Sequence, residues 1–386
     1  MTQVNGANSP VNTDYVHHDA STPQVEKALA VTDAHDETDK EFKDPLAPTY
    51  LKTKKFFCWR LTKRRWIAAV AGSVIVSLGV LLIILWFAVA VPLFQHNADK
   101  VHLSLNYMDI VHVEKGADVR TLGTNMSVRF EHHLSIGARS DPTTVTLLYE
   151  DKPFGTVEFP ELHLKTGKQE YDLVITSDLI VSDADVFAQL SEAIITQKNL
   201  TIDAHTKLKA HALGLSKGGL KFDRTLALTG MNNYVDPPNV IERMTMNSCS
   251  SSALDITINA TVTNTAQLGL QGIGALNLTL YFSEDYLGYG VAMVPELGVP
   301  RGQSTQMFHI FIDATGSHLA AVQKMVKGIA SGAVQFFMRG DNPYVTDVGL
   351  LQEPIKVLNM SFPYADQLDR ITFTSECSLS TLVGLL

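Results

Sequence analysis

Between Trp66 and Ala98 the chain carries no Asp, Glu, Lys or Arg. The centre of this run, Ile67 to Val91, is 25 residues long. At 1.5 Å per residue it makes about 37 Å of helix, and a hydrocarbon core is about 30 Å thick. Trp66 and Trp86-Phe87 stand near its ends, where aromatic rings meet the membrane interface. A cleaved signal peptide is shorter and sits at the extreme N-terminus, so the expectation is one transmembrane helix over residues 66–93.

Charge sets the expected orientation. Lys52, Lys54, Lys55, Arg60, Lys63, Arg64 and Arg65 precede the apolar run with no acid among them. The far side offers only His96 before Asp99 and Lys100. The positive-inside rule places the N-terminus in the cytosol and about 290 residues across the membrane. The basic segment 51–65 also suits anionic lipid headgroups. Cys58, flanked by Phe57 and Trp59, is a candidate for palmitoylation; an unmodified thiol fits the same place. Residues 1–50 show no sustained apolar period and read as a disordered arm.

The part beyond the span holds 31 acidic against 21 basic side chains, which argues against a nucleic-acid partner. Its dominant pattern has period two. Leu254, Ile256, Ile258, Ala260 and Val262 alternate with polar residues, as do Leu276, Leu278, Leu280 and Phe282. These are half-buried strands. The pattern also repeats: Phe159-Pro-Glu-Leu162 matches Val294-Pro-Glu-Leu297 at an offset of 135, Gly167 matches Gly302, and Asp178 matches Asp313. A short helical stripe follows in each copy. The chain is therefore mostly β: a transmembrane helix, then two antiparallel β-sandwich repeats at 94–235 and 236–386, each with a short helix.

The strand at Asp255, the strand at Leu276 and the Val294-Pro-Glu-Leu-Gly-Val-Pro turn resemble the group-2 late-embryogenesis-abundant domain, a fibronectin-like β-sandwich. The stretches Ser182–Ala210 and Phe222–Tyr234 are similar to a fungal family of single-pass membrane proteins of unknown function, with relatives at the vacuolar membrane. The resemblance covers roughly residues 55–363. It implies the sandwich fold and a vacuolar site, with the plasma membrane as the alternative, and brings no catalytic residues.

Among candidate sites, five N-x-S/T sequons at Asn125, Asn199, Asn259, Asn277 and Asn359 all follow the span, on the outward parity of their strands or strand edges. Cys249 and Cys377 are the only thiols beyond the span. A disulfide would close a long loop and contribute on the order of 4–5 kcal/mol in the chain-entropy model; two free buried thiols are the other reading. Gly214-Leu-Ser216-Lys-Gly218 matches the nucleophile-elbow string, but strand-like sequence follows it, so a Gly-rich turn fits better. Histidines and carboxylates form no metal-ligand spacing, and no cofactor motif occurs. The expected function is non-enzymatic: an ectodomain that binds a lipid or a partner protein, or else a structural or adhesive ectodomain. Helix stripes of Phe187, Leu190 and Ile194, and of Leu319, Val322 and Val326, are the candidate ligand-facing residues. Ordinary core packing demands the same stripes.

Two treatments test the topology. Glycosidase should increase the mobility of the full-length protein, and changing Asn259 and Asn277 to Gln should remove part of that shift. Protease added to sealed microsomes should remove only the segment before the apolar run; protection of the N-terminus would reverse the orientation.

Overall fold

The computed structural model describes residues 54–56, 59–61, 63–113, 120–365 and 371–384. The arm 1–50 and Cys58 lie outside the described residues. The chain divides into two compact units, Met1–Ser73 and Val74–Leu386. In the first, β1 (Lys54–Phe56) and β2 (Trp59–Leu61) pair antiparallel, a hairpin that the charge pattern of the basic segment does not announce.

Helix α1 (Lys63–Leu85) continues through a π-helical turn (Trp86–Ala90) into α2 (Val91–Asp99). The residues from Arg64 to Asp99 form one helix long and apolar enough to cross a membrane. The π turn has a local cause. Pro92 has no N–H, and its ring presses on the carbonyl four residues back. The helix widens, and the Val91 N–H donates to Trp86 O, five residues back.

The first repeat runs β3 (His102–Val113), β4 (Thr121–Leu134), β5 (Ala138–Ser140), β6 (Thr143–Tyr149), β7 (Lys152–Phe159), β8 (Leu162–Leu164), β9 (Gly167–Val181), α3 (Ala184–Thr196), β10 (Asn199–Ala212) and β11 (Leu215–Thr229). The second runs β12 (Val240–Cys249), β13 (Ala253–Asn264), β14 (Leu268–Leu270), β15 (Asn277–Phe282), β16 (Asp285–Ala292), β17 (Gly302–Asp313), α4 (Leu319–Ser331), β18 (Ala333–Arg339), α5 (Gly349–Ile355), β19 (Asn359–Ala365), β20 (Ile371–Phe373) and α6 (Leu379–Val383).

The duplication is visible in the topology. Across the first sheet the order is β14, β3, β4, β9, β7, β6, β10, β11; across the second it is β20, β12, β13, β17, β16, β15, β18, β19. Seven strands correspond one to one. Each sheet adds a parallel strand at the same edge, β14 on β3 and β20 on β12. The first repeat alone carries the small pair β5 and β8, which extends the side of β10 next to β6. Each sheet is one hydrogen-bonded surface that curls until its ends approach. β11 packs near β3, and β12 near β19.

The helices follow from local signals. Asp183 caps α3: its Oδ1 accepts from the Asp185 and Val186 N–H groups at 3.0 and 3.1 Å. Gly332, at φ 72°, ends α4 in the left-handed conformation that glycine adopts at no steric cost. Helix α3 packs against α5 of the other repeat.

The sequence boundary at 235/236 divides the repeats but not the sheets, because β14 crosses into the first. There Arg301 donates from Nε and Nη2 to Asp109 Oδ1 and Oδ2 at 2.6 and 2.9 Å, with its guanidinium 3.9 Å from the Tyr107 ring centre. Asp109 is buried on β3. Gly269 of β14 lies so close that a Cβ would meet Asp109 Oδ1 at 2.3 Å. Gln267 adds a second tie: its Nε2 donates to Leu105 O at 2.6 Å, and its Oε1 accepts from the Thr229 N–H at 2.8 Å. Cys249 and Cys377 are bonded as a disulfide that joins the end of β12 to the segment after β20.

Removing one partner of a buried ion pair costs about 3–5 kcal/mol when the survivor stays buried. The Arg301 side chain is 32% exposed, which reduces the effect. Arg301→Ala should cost about 2 kcal/mol, and adding Asp109→Asn should recover part of it. Thermal melts of the single and double variants measure both.

Candidate functional site

The inward positions of β10 near its C-terminal end read Leu208, Ala210 and Ala212. With Ala138 on the neighbouring β5, these small side chains leave space where leucine or phenylalanine would fill a core. The space is a partly open cavity of about 110 Å³. Phe130 and Leu134 of β4, Leu220 and Phe222 of β11, and Leu93 and Phe94 of α2 wall it. A second apolar cavity of about 60 Å³ lies beside it, deeper in the same repeat. The two share Phe130, Ser140, Leu162, Leu208 and Phe222. Ser140 is polar but satisfied, since its Oγ accepts from the Leu162 N–H at 3.3 Å.

Charged groups stand at the edge of this space. Arg139 pairs across the strands with His163 on one side and His211 on the other. Arg139 Nε is 3.2 Å and His163 Nε2 2.8 Å from Glu161 Oε1. Lys209 Nζ lies 3.1 Å and His211 Nε2 2.9 Å from Asp141. The hydrogen bond from Lys209, followed by that from His211, holds the Asp141 carboxyl below the usual range.

The helix-borne candidates lie in the core rather than beside this space. Phe187, Leu190 and Ile194 are buried and border a gap of about 30 Å³, closed by Leu351, Pro354 and Ile355 of the second repeat. Val322 and Val326 are buried and Leu319 is half-buried. Both stripes pack as ordinary helix faces do. The trace of the cavity in the sequence is the run Leu208-Lys-Ala210-His-Ala212, whose inward parity turns small just before a turn; the walls that make it a void come from other strands and from α2.

The five sequon asparagines stand beside buried neighbours, so their side chains take the outward parity. Asn199 is exposed; Asn125, Asn259, Asn277 and Asn359 are half-buried, and the Oδ1 of each of these four is buried without a hydrogen-bond partner among the described residues. Ser216 falls on β11 inside a hairpin rather than between a strand and a helix. It stands opposite His211, whose Nε2 meets Asp141, but no hydrogen bond joins Ser216 to His211 among the described residues. No cluster of three metal-ligating side chains occurs among the described residues.

A buried titratable group stands between two of the residues that wall the cavity. His132 stands between Phe130 and Leu134 on the inward face of β4 and is 3% exposed. Neither ring nitrogen has a hydrogen-bond partner among the described residues. Its ring meets Tyr171 edge-on at 6.2 Å. Desolvation pushes its pKa below the ordinary value of 6.5.

A family model described as a protein of unknown function (DUF3712) matches residues 152–280, from β7 into β15. No curated protein matches the chain. Among solved structures, the chain is similar to red sea bream transglutaminase at 12% identity and a TM-score of 0.26, over 69% of this chain and 31% of that one. It is similar to the periplasmic chaperone SfaE at 10% identity and a TM-score of 0.17, over 71% and 100% of the two chains. For CBD12 from CALX1.2 the identity is 9% and the TM-score 0.19, over 65% and 90%. The chain thus spans about a third of the transglutaminase's length, and all three superpositions are too loose to bear on function.

The His132 environment sets a pH dependence. A base whose folded pKa lies below its unfolded value binds more protons when unfolded, so stability falls as pH drops below the unfolded value of 6.5. Replacing His132 by Phe removes two orphaned nitrogens and this proton linkage. The variant should gain in Tm over wild type as the buffer is taken from neutral to pH about 5.5, a window just below the ordinary histidine pKa. A constant difference across that range would exclude His132 as the linked group.

Proposed function

We propose that this is a non-enzymatic single-pass membrane protein whose first β repeat binds the apolar chain of a lipid. The observation that carries the reading is the pair of adjoining apolar cavities, the first walled in part by α2, the direct continuation of the apolar helix. An apolar cavity of about 150 Å³ takes up benzene. Two smaller ones sharing a wall suit the end of an acyl chain, at about 0.8 kcal/mol per methylene buried. The membrane reading is supported by the helix from Arg64 to Asp99 and by the basic residues before it. The cytosolic N-terminus rests on the positive-inside rule, and the vacuolar membrane on the family resemblance.

A partner protein is the second reading, and one observation favours it. The outward face of the second sheet exposes Tyr286, Tyr289, Met293, Met307 and Phe311. Tyr289 and Phe311 rings pack at 5.5 Å. Aromatic residues and methionine are enriched in protein interfaces.

Photolabelling separates the two. Full-length protein in detergent is incubated with a diazirine fatty acid, irradiated and digested. Adducts should map to the peptides holding Phe130–Ser140 or Leu208–Phe222, and Ala210→Trp should abolish them while the melt stays cooperative. Phe187→Ala, in the α3 core, should lower the Tm and leave labelling intact. Labelling unaffected by Ala210→Trp would sink the cavity as the site.

A further inference from the structure

We propose that the β10–β11 hairpin tip and the loops beside it seat on an anionic leaflet of the membrane that α1 crosses, so that the cavity opens onto its acyl layer. The proposal deepens the lipid-binding reading by naming where the lipid comes from. Its first support is the tip itself. Ala212 pairs with Leu215, so the turn has only two residues, Leu213 and Gly214, and both have positive φ, 52° and 75°. Such a turn in water favours Asn-Gly or Asp-Gly, because a side chain in the left-handed region needs compensation. Here the strained position holds a leucine that is 77% exposed, followed by Leu215 at 45%. An apolar residue kept at strained backbone, away from the core, suits a non-aqueous surface.

Depth is the second support. Leu213 and Leu215 line the same cavity as Ala90 and Leu93. Ala90 is the last residue of the π turn that continues α1. The tip therefore stands level with the end of the apolar helix, where a spanning helix meets the interface.

Charge is the third. The loop between β8 and β9 presents Lys165, and β9 opens with Lys168; both are exposed, and Lys217 lies on the rising strand of the hairpin. None of the three forms an ion pair among the described residues. Arg139 and Lys209 stand nearby against Asp141 and Glu161. A basic end on an otherwise acidic ectodomain is complementary to anionic headgroups. An apolar tip with lysines at the same end of the repeat is also how amphipathic segments bind an interface.

The test uses the full chain with Cys58→Ser, carrying an environment-sensitive fluorophore on Leu213→Cys and, separately, on Ser216→Cys. The protein is reconstituted in phosphatidylcholine vesicles with or without phosphatidylserine. Doxyl-labelled lipid should remove most of the emission at position 213 and less at 216. Phosphatidylserine should strengthen the quenching, and Lys165→Glu with Lys168→Glu should cancel that gain. A fluorophore at both positions that is quenched by aqueous iodide and untouched by doxyl lipid would overturn the proposal. If the tip is quenched by lipid but the cavity takes no photolabel, the docking stands and the lipid-binding reading falls. An iodide-accessible tip with a labelled cavity gives the reverse.

Discussion

Arg224 joins the apolar helix to the β structure. The last carbonyls of a helix have no partner within it, and buried carbonyls need one. Arg224 donates from Nη2 to Ala98 O at 2.7 Å and from Nε to Val101 O at 2.8 Å, with its guanidinium 4.2 Å from the Phe222 ring centre. Burial pulls its pKa down, and Asp99 and Asp223 pull it back up. One turn earlier, Gln95 makes a two-point pair with the Lys221 backbone at 2.9 and 3.2 Å. Together these contacts hold α2 along β11. Without them Ala90, Leu93 and Phe94 would not form one wall of a cavity.

The two repeats share a strand order but not an interior. In the second, β18 carries Phe336 and Met338 where β10 carries Ile202 and Ala204, and β19 adds Phe362 and Tyr364. A gap of about 10 Å³ borders Met360 of β19. Its β18 also stops after seven residues, whereas β10 runs for fourteen. The extra length of β10 and β11, with β5 and β8 laid against it, makes the space. Duplication supplied the scaffold, and the extension of one hairpin separates the copy with a cavity from the copy with a filled core.

The same end of the first repeat gathers most of its unusual chemistry. His132 is buried without a hydrogen-bond partner among the described residues, Arg139 sits between two histidines, and Leu213 holds a strained turn. A site that departs from local rules in several ways at once is where function is to be looked for. The second repeat instead holds the structure together. Its β14 completes the first sheet, Arg301 neutralises Asp109, and a disulfide fastens its own C-terminal segment.

What the sequence by itself determined is what short-range patterning encodes. The charge-free run of residues 66–98 leaves helix as the stable state for so long an apolar segment. Period-two alternation around Leu254 and Leu276 marks strands, and the 135-residue offset carries α3 at Ala184 onto α4 at Leu319. What only the tertiary structure decided depends on which distant strands meet. The stripe of Phe187, Leu190 and Ile194 is identical on a helical wheel whether it faces a ligand or a partner helix; the approach of α5 from another repeat decides it. The crossing of β14 into the first sheet carries no local signal, because three residues pair with whatever edge is offered. The cavity arises because Ala138, Ala210 and Ala212 converge with the end of α2, and small residues mark a void only once the walls around them are known.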